Sequence, residues 1–116
     1  MILLVEDDKD ISESITEILT SEGFEVVRAS NGREGLELLK EHSDTRLILL
    51  DLMMPVMDGF EFQAALARQP GYSRIPIVVM SADGHVREKK AQVSAVEYLR
   101  KPVDIDVLID TVRKHA

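Results

Sequence analysis

The segment LILLDLMMPVMDG, residues 47–59, contains the pattern that predicts the fold of the chain. It opens with the apolar run Leu47–Leu50, which stops at Asp51. A short, continuous apolar run predicts a strand that is buried on both faces of a sheet. A proline and a glycine then break the pattern, and a helix is predicted from Phe60 to Arg68. The segment therefore predicts a buried strand, a loop that begins with a carboxylate, and a helix.

The same alternation of apolar runs and amphipathic stretches continues on both sides of this segment. The predicted strands are Ile2–Val5, Phe24–Arg28, Leu47–Leu50, Ile77–Met80 and Val96–Leu99. The predicted helices begin after Asp10, which can cap the first of them, after Asn31-Gly32, at Phe60, at Val86 (to Val93) and at Ile105. Buried strands separated by helices define an α/β fold of the (βα)5 type, in which helices cover both faces of a parallel sheet.

The length of 116 residues predicts a single domain over residues 1–116. The composition, with 45% hydrophobic residues, 30% charged residues and a net charge of −7, is typical of a globular protein. The chain contains no cysteine, which excludes disulfides and thiolate chemistry and suits a cytoplasmic location. Its apolar runs are too short to span a membrane, and no secretory signal is apparent. An acidic chain with three phenylalanines, two tyrosines and no tryptophan is also not expected to bind nucleic acid directly.

Reactive side chains follow four of the predicted strands. Glu6 and Asp7 come after the first, Asp51 after the third, Ser81 after the fourth and Lys101 after the fifth. The carboxyl ends of parallel strands meet at one edge of the sheet, where ligands bind. Opposed carboxylates repel each other unless a cation joins them, and oxygen ligands suit Mg²⁺. A magnesium site beside a carboxylate nucleophile and a lysine is suited to phosphoryl transfer.

Each of these residues has a structural explanation when it is taken alone. Acids before a helix often cap it, an aspartate after a strand can be a turn residue, a serine often makes only local hydrogen bonds, and a lysine is usually solvated. The functional interpretation depends on the observation that all of these residues follow the ends of predicted strands.

Four sequence elements resemble the receiver domain of bacterial two-component response regulators, over essentially the whole chain. They are LLVEDD (residues 3–8), LILLDLMMPVMDG (47–59), VVMSA (78–82) and YLRKP (98–102). The resemblance implies a flavodoxin-like, doubly wound, five-stranded parallel sheet in the order 2-1-3-4-5. It also implies a cis peptide bond before Pro102.

The resemblance assigns a role to each candidate site residue. Asp51 is the phosphoacceptor, Ser81 the hydroxyl that bonds the phosphoryl group, and Lys101 the lysine that pairs with it. Ser81 and Tyr98 form the switch, in which Tyr98 rotates when Ser81 is drawn toward the phosphoryl group.

The implied cofactor is Mg²⁺. Its ligands are Glu6, Asp7, Asp51 and the backbone carbonyl of Met53, with Asp7 binding directly and Glu6 acting through water.

The implied function is a phosphoacceptor signalling switch that takes its phosphoryl group from a sensor histidine kinase or a phosphotransfer protein. Such a switch catalyses only its own phosphorylation and dephosphorylation, so it is not an enzyme in the usual sense. The output partner is unknown. The expected partner face comprises the predicted helix 86–93, the fifth strand and the last helix. The same face is the expected interface of a homodimer.

Two alternatives use the same residues differently. A magnesium-dependent phosphohydrolase resembling the haloacid dehalogenases also has an aspartate nucleophile, but it carries a second aspartate two residues later, where this chain has Met53. A receiver-like interaction module without phosphorylation would not need to keep the complete set of candidate residues. That set is Glu6, Asp7, Asp51, Ser81 and Lys101.

Overall fold

The computed structural model describes residues 1–54, 56–72, 74–81 and 95–116. Five strands form one parallel sheet in the order β2-β1-β3-β4-β5, which confirms the predicted fold and strand order. The strands are β1 (Ile2–Val5), β2 (Val26–Ala29), β3 (Leu47–Asp51), β4 (Ile77–Ser81) and β5 (Glu97–Arg100). The described helices are α1 (Lys9–Ser21), α2 (Gly32–Glu41), α3 (Gly59–Ala67) and α4 (Ile105–His115). The helix predicted from Val86 to Val93 lies outside the described residues.

Helices pack on both faces of the sheet, because the side chains of each strand alternate between the faces and are apolar on both. One face packs against α1 and α4, in a cluster that includes Leu4, Leu49, Leu19 and Val112. The other packs against α2 and α3, in a cluster that includes Val5, Leu50, Leu39 and Phe62. None of the described helices has the length and apolar character that crossing a lipid bilayer requires.

The bounds of β1 match the prediction, and those of the other four strands differ from it by one or two residues. β2 begins at Val26 and β5 at Glu97, each later than predicted, because the bounds follow the pairing with the neighbouring strand (Ile2 with Val26, Val78 with Glu97). β3 and β4 each extend one residue further than predicted. Asp51 and Ser81 therefore belong to strands, and the sheet holds their backbones.

The cap of α1 is Asp8, and the prediction that Asp10 caps this helix is wrong. The Asp8 carboxylate accepts hydrogen bonds from the backbone N–H groups of Asp10 at 2.9 Å and Ile11 at 3.1 Å. A cap lies just before the first helical residue, whereas the apolar stripe used for the prediction begins later in the first turn. Asp10 lies within that turn, where a negative charge favours the helix dipole.

Candidate functional site

Three carboxylates converge at the carboxyl edge of the sheet. Glu6 and Asp7 directly follow β1, Asp51 ends the adjacent β3, and the pairing of Val5 with Leu50 sets Glu6 beside Asp51. One carboxylate oxygen from each of the three residues lies within 4.8 Å of the other two. The sheet therefore brings together the acidic residues that the sequence placed at separate strand ends.

Lys101 directly follows β5 and reaches the same cluster from two strands along the sheet. Its ammonium donates a hydrogen bond to Glu6 Oε1 and lies 3.4 Å from Asp51 Oδ2. Its backbone N–H donates to the carbonyl of Ser81 at 2.9 Å, which joins the ends of β4 and β5. The peptide bond from Lys101 to Pro102 is cis, which confirms that prediction.

Three carboxylates in this cluster face one ammonium, and Glu6 and Asp51 are buried whereas Asp7 is exposed. Burial and the neighbouring Asp51 raise the pKa of Glu6 to about 8, although Lys101 opposes the rise. Burial, followed by the charge of Asp51, also raises the pKa of Asp7. Burial by itself lowers the pKa of Lys101, but Glu6 and Asp51 outweigh it and raise that pKa above its ordinary value. Lys101 is thus firmly cationic, and one ammonium is shared among the carboxylates.

The residues of this cluster fit a divalent cation with a preference for oxygen. Glu6 is 2% exposed, and its Oε2 is buried with no hydrogen-bond partner among the described residues. A buried carboxylate oxygen without a partner is costly, and a cation would remove that cost. Carboxylate oxygens in this number are the ligands that Mg²⁺ prefers. Met53 lies beside them, since its backbone N–H is 3.4 Å from Asp51 Oδ1.

Ser81 and Tyr98 lie on the same face of the sheet. Ser81 is 1% exposed at the end of β4, two residues after Val79, and Val79 pairs with Tyr98 of β5. Residues two apart in a strand share a face, as do direct neighbours across a parallel pair. Tyr98 is half-buried and packs against the apolar cluster under α2 and α3. Ser81 therefore lies one pleat further along, toward the carboxylates.

Sequence reasoning missed the contact between Glu6 and Lys101. The resemblance paired Lys101 with a phosphoryl group, whereas in the structure its closest partner is Glu6. The available signal was the position of Glu6 after a wholly apolar strand, because an acid carried into the interior needs a cationic partner.

A doubly wound parallel sheet with carboxylates and a lysine at its carboxyl edge defines a flavodoxin-like α/β protein with a charged site at the strand ends. The sequence matches the response regulator receiver domain over residues 2–113. The chain belongs to this family, and it is a receiver domain of two-component signalling.

Solved structures and curated relatives agree with this membership. The chain is 30% identical to the chemotaxis protein CheY4 of Vibrio cholerae, with a TM-score of 0.88 and coverage of 99% of this chain and 97% of that one. The receiver domain of a Syntrophus aciditrophicus signal transduction histidine kinase is 30% identical, with a TM-score of 0.87 over 97% of this chain and 86% of that one. The transcriptional regulatory protein YcbL of Bacillus subtilis is 37% identical over 96% of this chain and 48% of its own length. The chain spans about half the length, or less, of the curated relatives it matches.

Proposed function

We propose that Asp51 accepts a phosphoryl group from a sensor histidine kinase or a phosphotransfer protein, in a reaction that depends on Mg²⁺. Receiver domains are signalling switches that interact with such donors and with output domains. The observation that carries the proposal is the setting of Asp51. This buried carboxylate ends β3, shares a cluster with Glu6 and Asp7, and has the Lys101 ammonium 3.4 Å from its Oδ2.

The transfer makes one covalent bond to the protein, and it otherwise depends on charge neutralisation. A carboxylate oxygen of Asp51 attacks the phosphorus, an O–P bond forms, and the P–N bond to the donor imidazole breaks as the imidazole leaves with the electron pair. The Lys101 ammonium offsets negative charge on the phosphoryl oxygens, which is the main requirement of phosphoryl transfer. Mg²⁺ held by Glu6, Asp7, Asp51 and the carbonyl of Met53 would supply further charge neutralisation for those oxygens.

Phosphorylation changes what Ser81 and Lys101 can bond. A phosphoryl group on Asp51 adds strong acceptor oxygens beside the Lys101 ammonium and within reach of the Ser81 hydroxyl. Because Ser81 and Tyr98 share a face of the sheet, a shift of Ser81 toward the phosphoryl group alters the space beside the Tyr98 ring. The equilibrium shifts only as far as Ser81 bonds better in the active state.

The expected output surface consists of β5, α4 and the segment 86–93, the last of which lies outside the described residues. An output partner, or a second copy of the chain, binds this surface in our proposal. The net charge of −7 argues against direct contact with nucleic acid, and we infer a cytoplasmic location. Because Met53 cannot act as a general acid, we infer that the chain turns over only its own phosphoryl group.

Acetyl phosphate tests the assignment of Asp51. In the presence of Mg²⁺ we expect the wild type to gain the mass of one phosphoryl group, in an acid-stable and base-labile bond. Asp51→Asn should gain none. Asp58→Asn is the matched control, because it removes the same charge and keeps a good cap at the start of α3. It should be modified as the wild type is.

Two results would contradict the assignment. If Asp51→Asn gained a phosphoryl group at the wild-type rate, another residue would be the acceptor. If the wild type stayed unmodified with Mg²⁺ and acetyl phosphate, the interaction module without phosphorylation would be the better description.

Beryllofluoride, which can stand in for the phosphoryl group, tests the switch. NMR of the Tyr98 ring should show a change in the wild type and a smaller change in Ser81→Ala. Ser12→Ala alters another buried serine, on α1, and should respond as the wild type does. Identical responses of the wild type and Ser81→Ala would rule out the coupling of Ser81 to Tyr98, even if Asp51 is the acceptor.

A further inference from the structure

Gly59, the first residue of α3, lies directly against the backbone of the candidate acceptor. Its N–H donates a hydrogen bond to the Leu52 carbonyl at 2.9 Å. A Cβ at this position would lie 2.8 Å from the carbonyl oxygen of Asp51 and 2.8 Å from Leu52 Cα. Real Cβ atoms essentially never approach other atoms below 3.0 Å, and these neighbours are backbone atoms that cannot rotate away. A side chain at residue 59 must therefore move the backbone.

Space, and not backbone conformation, is what excludes a side chain here. The backbone φ of Gly59 lies outside the left-handed region, in contrast to Gly23 with φ of +90°. Any L-residue could adopt the dihedral angles of Gly59, since they are those of a helix start. The glycine is needed because α3 and the end of β3 touch at this point.

The start of α3 has little freedom to move away from β3. Asp58 caps the helix by accepting from the N–H of Glu61 at 2.9 Å, and the Glu61 carboxylate accepts from the N–H of Asp58 at 3.3 Å. One turn later, Phe62 is fully buried in the apolar cluster beneath α2 and α3. A methyl group on residue 59 would therefore be accommodated largely by the backbone of Asp51 and Leu52.

We infer that Gly59 is a positioning residue, which sets where the Asp51 carboxylate lies relative to Glu6, Asp7 and Lys101. The inference rests on the proposed function, in which Asp51 is both phosphoacceptor and magnesium ligand. Metal and catalytic sites keep their geometry to within about 0.5 Å. A backbone shift that relieves the contacts of a Cβ at residue 59 is therefore large enough to disturb the position of the Asp51 carboxylate.

The first test compares Gly59→Ala with Gly71→Ala. Apart from its chain neighbours, a Cβ on Gly71 would have no atom of the described residues within 4 Å, and the φ of Gly71 is not left-handed, so its substitution should change nothing. For each variant we would measure the Mg²⁺ affinity of the unphosphorylated protein by titration, and the rate of modification by acetyl phosphate. We expect Gly59→Ala to lower both by about tenfold, because small misplacements of reacting groups carry penalties of this size or larger.

Val112→Ala separates positioning from a general loss of stability. Val112, on α4, is fully buried against the opposite face of the sheet, and its truncation should destabilise the fold without moving Asp51. Its Mg²⁺ affinity should match the wild type when measured well below the unfolding transition. If Gly59→Ala keeps wild-type affinity and rate, or loses no more than Val112→Ala, the inference is overturned.

A second pair of variants keeps the test decisive if Gly59→Ala does not fold. Asp58→Ala and Asp58→Asn remove the same charge, but only Asn retains the cap that holds the start of α3. We expect Asp58→Ala to bind Mg²⁺ more weakly than Asp58→Asn, and equal affinities would overturn the inference. If acetyl phosphate leaves the wild type unmodified, the proposed function is contradicted. The Mg²⁺ affinities of the Gly59 and Asp58 variants would still decide whether Gly59 positions the Asp51 carboxylate.

Discussion

Strand β3 contains two contrasting environments within three residues. Leu49 is fully buried in apolar packing, and Asp51 is nearly as buried, at 5% exposure, among carboxylates and Lys101. Burying an apolar side chain stabilises the folded state, whereas burying neighbouring carboxylates destabilises it unless a proton or a cation joins them. The apolar strand residues form the sheet interior, and Glu6, Asp7, Asp51 and Lys101 form the charged edge. Equal burial therefore stabilises the fold at Leu49 and serves chemistry at Asp51, two residues later.

The largest expected effect on stability comes from the sheet interior. Leu49→Ala should lower the free energy of unfolding by about 2–5 kcal/mol, because it removes buried contacts and leaves a cavity. Urea denaturation measures this loss. The Mg²⁺ affinity of the folded variant should stay at the wild-type value. A clear drop in affinity would show that packing in the sheet interior also determines metal binding at the charged edge.

Magnesium should stabilise the protein through the charged edge alone. Binding to the native state at ten times Kd contributes about 1.4 kcal/mol, which appears as a rise in the melting temperature. Asp7→Asn should remove most of the rise. Asp8→Asn is the adjacent control, since Asn still caps α1, and it should keep the rise. A wild type without any shift in millimolar Mg²⁺ would contradict a preformed metal site.

The loop after Asp51 contains backbone strain that the sheet interior lacks. Val56 has φ of 68°, which is unfavourable for a β-branched residue, and its side chain is 72% exposed. Val56→Gly should raise the free energy of unfolding by up to about 1 kcal/mol, since strain relief exceeds the added entropy of the unfolded chain. Val96→Gly, at another exposed valine without a positive φ, should destabilise the protein in the same urea experiment. Equal losses in the two variants would show that Val56 is not strained.

The smallest expected effect on stability is that of Asp51→Asn. The change is nearly isosteric, and it removes repulsion from Glu6 and Asp7 together with the attraction of Lys101. In magnesium-free buffer the free energy of unfolding should hold or rise slightly, within about 1 kcal/mol. A large loss in the urea experiment would show that Asp51 stabilises the fold, and it would remove the contrast between the two parts of β3.

Local patterns in the sequence determined the elements and which side chains follow the strands. Apolar runs such as Leu47–Leu50 predict buried strands, because a strand that is covered on both faces has apolar side chains at every position. The strand order and the cis bond before Pro102 followed from resemblance to a family, since periodicity contains no information on which strands pair. The structure confirms both.

Which charges meet, and which backbone segments touch, depends on the packing of the whole fold. Glu6 and Lys101 are 95 residues apart in the chain, and their contact depends on the register of four strands across the sheet. The contact of Gly59 with Asp51 likewise depends on how closely α3 packs against the end of β3. Sequence periodicity reflects burial along a single element, whereas distances between elements result from packing the whole core. The sequence therefore determined the residues of the charged edge, and the fold decided how they are paired and held.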